Sequence, residues 1–191
     1  GVTGIPKGAL LSHRNCLFNA FTCAIDYGLS GGDVLQIIPP LFHPATLNCM
    51  LLSGVVLGAP AVIHRCFDPA EMLSAVERER VTSTLMVPTM LVRITALPAA
   101  VRRRYDTSSL RWIMSGAAPL ATETARQVEA QFGPVLWNFY GATETGLVTL
   151  AGPGEHTARP GTVGRAMRGN QIRLLDDAGA EVPLGQVGEV Y

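Results

Sequence analysis

Asn138-Phe139-Tyr140-Gly141-Ala142-Thr143-Glu144 places an amide, aromatic rings, a glycine, a hydroxyl and a carboxylate within one short stretch at the end of an apolar run. A carboxylate there can hold Mg²⁺ against phosphate oxygens, because that ion prefers oxygen ligands. Open parallel sheets put ligand sites at such strand ends. A second stretch, Thr3-Gly4-Ile5-Pro6-Lys7-Gly8, precedes an apolar helical pattern. Small residues let backbone N–H groups approach phosphate oxygens, a hydroxyl can donate, and lysine supplies a mobile positive charge. It is not a Walker A loop, since Lys7 is followed by Gly8 instead of Ser or Thr. A third, Ser115-Gly116-Ala117-Ala118-Pro119-Leu120, follows a strand-like run and opens a helix. Small side chains there allow a flat ring to lie against the backbone, and the helix dipole adds to the attraction for anions. The second and third stretches, taken singly, also make ordinary turns before helices.

The elements that must position these residues follow from periodicity. Residues 34–38, 61–63, 83–87, 110–114 and 135–140 read as strands, several apolar throughout, as expected for a sheet covered on both faces. Between them, 12–27, 45–57, 69–80, 89–97 and 121–132 read as helices. The third begins with Asp68 as N-cap, Pro69 at the first position and Glu71 three residues beyond the cap. The expected class is therefore α/β, a largely parallel sheet with helices on both faces and right-handed crossovers. Beyond residue 150 a Gly/Pro-rich loop, 152–161, leads to short alternating strands at 171–175 and 188–191. We expect a nucleotide- and acid-binding core over 1–150, then a linker and the start of a β-rich subdomain over 151–191.

Composition narrows the function. The chain of 191 residues is 48% hydrophobic and 16% charged, which suits a core-rich globular fold. Fifteen basic and fifteen acidic side chains cancel, so there is no electrostatic case for a nucleic-acid or anionic-membrane partner. The basic run Arg102 to Arg104 reads as a solvated surface. Cys16, Cys23, Cys49 and Cys66 show no metal-type spacing. Cys16 and Cys23 fall on one face of the first helix as small hydrophobes. A reduced, cytoplasmic setting is the expectation. The most apolar stretch, 47–63, is interrupted by Asn48, Ser53, Gly54, Gly58 and Pro60, and reads as a helix followed by a strand, not a membrane span.

The three stretches, in this order, resemble the signature segments of the adenylate-forming superfamily, which includes acyl-CoA synthetases, peptide-synthetase adenylation domains and beetle luciferases. Gly1 to Gly8 match the latter part of its phosphate loop, with Val2 where a hydroxyl residue is usual. The tail from Gly161-Thr162-Val163-Gly164-Arg165 to Gly188-Glu189-Val190 is similar to the next segment of the family, departing at Ala166, where proline is common. The resemblance implies that Thr3, Gly4, Lys7 and Gly8 cradle the phosphates of ATP, and that Gly116, Ala117, Ala118 and Pro119 border the adenine. It further implies that Asn138 bonds the adenine amino group, Tyr140 stacks on the ring, Gly141 belongs to the nucleotide site, Thr143 meets the α-phosphate, and Glu144 binds Mg²⁺. Lys7, Thr143 and Glu144 are then the catalytic candidates.

The implied activity is conversion of a carboxylic acid to an acyl adenylate and its transfer to coenzyme A. Pro40-Leu41-Phe42-His43 is similar to the segment flanking the acid tunnel in acyl- and aryl-CoA synthetases. His43 would gate a pocket walled by 43–50 with a floor at Gly116, Gly141 and Ala142. Relatives that activate amino acids carry an aspartate near this point, whereas no acidic residue lies between Gln36 and Ile63. A fatty or aryl acid is therefore expected, with an amino-acid adenylation domain or a non-catalytic scaffold of the same fold as alternatives. The family's ribose-binding Thr-Gly-Asp segment and the lysine of its C-terminal domain have no counterpart in the 191 residues. We accordingly expect a piece of a longer enzyme, inactive alone; its oligomeric state is not legible.

Overall fold

The computed structural model describes residues 8–191. Its main sheet has seven strands: β1 Leu35–Ile37, β2 Ala61–Ile63, β3 Ser83–Leu85, β4 Trp112–Ser115, β5 Leu136–Ala142, β6 Gly146–Ala151 and β7 Arg165–Ala166. They lie in the order β2-β1-β3-β4-β5-β6-β7. The first five run parallel, and β6 and β7 are antiparallel to their neighbours. β1, β3 and β4 are buried along their length, which is why their sequences lack alternation. β2 departs from that expectation: it is an edge strand with Ala61 exposed and Ile63 55% exposed.

Helices cover both faces, as expected. On one face α1 (His13–Asp26) and the segment 45–57 pack over Leu35, Leu85, Trp112, Met114 and Phe139. On the other, α3 (Pro69–Glu79), α4 (Pro88–Thr95) and α6 (Thr122–Phe132) cover Ile38, Met86, Ile113 and Leu136. Segment 45–57 begins as a π-helix, Ala45–Leu51, whose last turn is closed by the Leu52 N–H donating to Leu47 O, before continuing as α2 (Leu52–Leu57). Such widened turns recur at functional sites. Tyr27 at the end of α1 stacks on Trp112 at 4.6 Å and meets the edge of Trp137 at 5.9 Å, locking the helix to the sheet.

The caps follow from sequence chemistry. Ser12 and Asn15 form a reciprocal capping box at the start of α1. Asp68 Oδ1 accepts from the N–H groups of Ala70 and Glu71, each at 2.9 Å, a cap whose loss costs about 1 kcal/mol. Glu71 faces Arg78 at 3.5 Å instead of reaching back. Asp33, fully buried, binds Arg111 at 3.0 Å and Thr82 at 2.7 Å, tying the turn before β1 to β3 and β4.

Four elements were not anticipated: α5 (Ala99–Arg102), β6, α7 (Glu155–Ala158) and β7. Arg102, expected in a solvated run, donates to Leu97 O and Gln131 Oε1. The main sheet continues past residue 150 through β7. The tail strands shrink to β8 (Leu174–Leu175) and β9 (Glu189–Val190), which pair antiparallel in a separate two-stranded sheet. Among the described residues no helix is long and apolar enough to cross a membrane.

Candidate functional site

The parallel strands β1, β4 and β5 end on one rim, so the segments following them converge there. β1 runs out to Pro40–His43, β4 into Gly116–Leu120, and β5 into Gly141–Glu144. Between them and α1 opens a cleft of about 390 Å³. His43, Ala117, Gly141, Ala142, Thr143 and Glu144 all line it.

Residues 142–146 form the tip of a β-hairpin between β5 and β6, not a free strand end. Ala142 pairs with Gly146, leaving Thr143, Glu144 and Thr145 as its loop. Gly146 takes the left-handed conformation at φ +71°, as three-residue hairpin loops require. Thr145 Oγ1 accepts from Ala142 N at 3.2 Å and donates to Gly146 O at 3.2 Å, fixing the turn. Thr143 and Glu144 are thereby held in solvent at the cleft mouth. Gly141 is forced by crowding, since a Cβ there would sit 2.3 Å from Gly146 O.

Strand alternation splits the signature stretch between two sides of the sheet. Phe139 and Gly141 face the cleft. Asn138 and Tyr140 point the other way, and neither lines the cleft. Asn138 is 5% exposed; its Nδ2 donates to Thr162 O at 3.4 Å, while its Oδ1 has no partner among the described residues. Ser115, its partner in the β4–β5 register, likewise keeps a buried hydroxyl without a partner. Tyr140 is 41% exposed beside this pair. Six other buried side-chain polar atoms also lack a partner among the described residues, Gln36 Oε1 and Thr84 Oγ1 among them, so what distinguishes this pair is its place beside Tyr140, near the rim where the loops after β4 and β5 converge. An adenine amino group is the donor that Asn138 Oδ1 lacks, and Tyr140 offers a ring for stacking. The residues therefore fit a purine nucleotide.

The loop after β4 explains its small residues. A Cβ on Gly116 would lie 2.6 Å from the Phe139 ring, which is core and cannot retreat. Ala117 adopts φ +65°, a conformation that non-glycine residues rarely take and that concentrates at ligand sites. Gly116, Ala118 and Pro119 do not line the cleft, although Gly116 was expected in its floor. Gly8 is exposed, and Thr3, Gly4 and Lys7 lie outside the described residues.

His43 stands at the end of the π-helix, where its Nδ1 accepts the Ala45 N–H at 3.3 Å. That bond leaves the ring proton on Nε2. Phe42 is 90% exposed and outside the cleft. The expected apolar wall over 43–50 is broken by Asn48, and α1 adds Asn15, Asn19 and Thr22, which sequence reasoning missed. The available signal was a repeated amide on the inward face of an otherwise apolar helix. Asn19 is the linchpin: its Oδ1 accepts from Leu147 N at 3.4 Å and lies within 3.8 Å of the Cys23 and Cys49 thiols. The Cys49 contact and burial push the Cys23 thiol above the usual range, so it serves as packing and not as a nucleophile.

Among the described residues Glu144 enters no salt bridge and stands in no cluster of metal-ligating side chains. An exposed, uncommitted carboxylate suits Mg²⁺, which keeps most of its ligands as water and substrate phosphate oxygens. The site thus combines a cleft sized for a small molecule with a carboxylate and a hydroxyl at its mouth, and on the other side of β5 the buried Asn138 and the half-exposed ring of Tyr140.

Known proteins are similar to this chain along its whole length. The model of the AMP-binding enzyme family matches residues 1–191. The chain is 36% identical over 191 residues to feruloyl-CoA synthase from Amycolatopsis sp, covering 100% of this chain and 38% of that protein. It is 36% identical over 201 residues to 4-coumarate–CoA ligase 1 from Oryza sativa subsp. japonica, covering all of this chain and 35% of the relative. Among solved structures, ATP-bound MatB from Rhodopseudomonas palustris superposes with a TM-score of 0.84 at 34% identity, covering 100% of this chain and 37% of that one. The chain therefore spans less than two fifths of the length of these relatives.

Proposed function

The chain belongs to the family of AMP-binding enzymes, and from that premise we propose that the protein carrying it is an acyl-CoA synthetase. A carboxylate oxygen of the substrate acid attacks the α-phosphorus of ATP, the bond to the β-phosphate bridge breaks, and pyrophosphate leaves. The thiol of coenzyme A then takes the acyl group and AMP departs. One observation carries this reading: the rim that gathers His43, Thr143 and Glu144 around an acid-sized cleft also carries, across β5, the unpartnered Asn138 Oδ1.

Both reactants are anions, so the protein's task is to hold them together and disperse charge. Thr143 offers a hydroxyl to the α-phosphate and Lys7 a cation to the phosphates. Glu144 would hold Mg²⁺, which neutralises triphosphate charge when bound. Gly141 leaves the cleft wall free of a side chain, and His43 presents an Nε2–H there. In this reading residues 1–150 form the nucleotide- and acid-binding core, and 151–191 lead into a β-rich subdomain.

The acid lacks an α-amino group. Glu144 is the one acidic side chain among the described residues lining the cleft, and it is assigned to the metal. Of fatty and aryl acids, the similarity to feruloyl-CoA synthase and 4-coumarate–CoA ligase 1 favours an aryl acid. The test is acid-dependent exchange of pyrophosphate into ATP by the full-length protein, across fatty, aryl and amino acids. Exchange with an aryl acid supports the proposal. Exchange with amino acids alone moves the protein to the peptide-synthetase branch, and silence from a folded protein across the panel favours a scaffold.

A further inference from the structure

The inner wall of the cleft carries an amide whose polarity is fixed by its neighbours. Asn19 of α1 is half-buried and lines the cleft. Its Oδ1 takes the Leu147 N–H at 3.4 Å and the Cys23 and Cys49 thiols at 3.8 and 3.7 Å. A backbone N–H can only donate, so the oxygen must face it and Nδ2 is turned the other way. Nδ2 has no partner among the described residues. Gly146, which also lines the cleft, leaves this donor uncovered, since a Cβ there would lie 1.4 Å from Nδ2. Cys49 and Leu147 beside it are buried, whereas Thr143 and Glu144 are exposed at the mouth. The donor thus stands away from the end at which the acid reacts.

The other polar side chains of the wall do not offer the same group. Thr22 donates to Phe18 O at 2.9 Å, and Asn170 commits its Nδ2 to Leu147 O and Val148 O. Asn15 is exposed at the start of α1, with its oxygen on Ser12. Asn48 has no bond among the described residues that fixes which way its amide faces. Around Asn19 the surface is apolar, made by Ala45, Cys49, Phe139 and Leu147. Among the described residues no Lys or Arg lines the cleft, so nothing there balances a second carboxylate.

We propose that Asn19 is a specificity-determining residue for the acid: its Nδ2 donates to an uncharged oxygen on the body of the acid, remote from the carboxylate. The inference rests on the acid-activation reading above. Water satisfies Nδ2 until the acid displaces it. A hydrocarbon body takes that water away and returns nothing, whereas an oxygen acceptor restores the bond. A site built around a polar group therefore rejects the analogue that lacks the matching atom more strongly than one of altered bulk. Because Nδ2 only donates, an ether oxygen serves as well as a hydroxyl.

The test uses acid pairs of one shape that exchange an oxygen for a methylene: methoxy- against ethyl-substituted phenylpropenoic acids, para and meta. Acid-dependent pyrophosphate exchange by the full-length protein gives kcat/KM for each, in wild type, N19L and N19D. Wild type should prefer the methoxy acid of at least one pair about tenfold, the usual scale for one buried hydrogen bond. N19L removes the donor, and its ratio should fall to about one. N19D keeps an acceptor for Leu147 N–H but loses the donor, so at about pH 8 its ratio should also fall to one or below. A merely structural role lowers kcat/KM for both acids of a pair together and leaves the ratio unchanged. An unchanged ratio in either folded variant, or no preference in wild type for either pair, overturns the inference. Should N19L not fold, N19D decides alone. If exchange occurs only with fatty acids, the same ratio is read on methoxy- and ethyl-ended chains of equal length. If wild type exchanges with no acid, the proposed reaction fails, and calorimetric binding of each pair reads the preference directly; equal binding within both pairs overturns the inference.

Discussion

Gly146→Ala probes the hairpin that holds Thr143 and Glu144. Gly146 lies at φ +71°, and an added Cβ would stand 1.4 Å from Asn19 Nδ2 and 2.6 Å from its Cγ. Left-handed backbone costs a non-glycine residue about 1–2 kcal/mol. Forcing Asn19 aside adds about 1–3 kcal/mol of overpacking. The variant should therefore lose about 2–5 kcal/mol, a Tm drop of roughly 4–20 °C for a domain of this size. Asn19→Ala alone should cost about 1 kcal/mol, mainly through the hydrogen bond to Leu147 N. In the double variant the collision disappears and only the backbone strain remains, so the two losses must fall short of additivity by about 1–3 kcal/mol. Urea denaturation of the four proteins measures this cycle. A loss below about 0.5 kcal/mol for Gly146→Ala, or strict additivity with Asn19→Ala, would refute the argument that Asn19 sets the hairpin.

Glu144→Gln should lower acid-dependent exchange about a hundredfold while leaving the urea midpoint unchanged, because Glu144 is exposed and, among the described residues, carries no salt bridge. A midpoint shift as large as a core mutation would show that Glu144 is structural. Ala117→Gly should raise stability by about 0.5–1 kcal/mol by relieving the φ of +65°, and Ala117→Val should lower it by about 1–2 kcal/mol; the reverse order would remove strain from the account. Burial lowers the His64 pKa from its usual 6.5, with Glu71 opposing that shift. Gln36 Nε2 also reaches His64 Nε2 at 3.1 Å, a contact that only the neutral ring can accept. The unfolded chain then binds more protons, so stability is full above about pH 6.5 and falls as pH drops through the unfolded value towards the folded one. His64→Gln should flatten that slope in urea midpoints taken from about pH 8 to pH 5, and an unchanged slope would assign it elsewhere.

The parallel half of the fold was legible because each element answers to local rules. The fully buried strands lack alternation, and Asp68-Pro69 announces α3. The hairpin was not legible. β6 begins at Gly146, two residues after the signature stretch, and its buried Leu147, Thr149 and Ala151 alternate with half-buried Val148 and Leu150, so residue type carries no period-two pattern there. Missing the hairpin hid the strand geometry that sends Asn138 and Tyr140 to one side and Gly141 to the other. The polar wall of the cleft was hidden for another reason. Asn15 and Asn19 belong to a helix far in sequence from the β5–β6 hairpin, with 128 residues separating Asn19 from Leu147, and only tertiary packing brings them together at the cleft.

The central claim is that the acid's own oxygen attacks the α-phosphorus. The full-length protein, supplied with ATP, coenzyme A and an accepted acid carrying heavy oxygen in its carboxylate, tests it in one turnover followed by mass spectrometry. Adenylation predicts one heavy oxygen in the released AMP and none in pyrophosphate. Heavy oxygen in inorganic phosphate, with unlabelled nucleotide, would mean an acyl phosphate and would contradict the account.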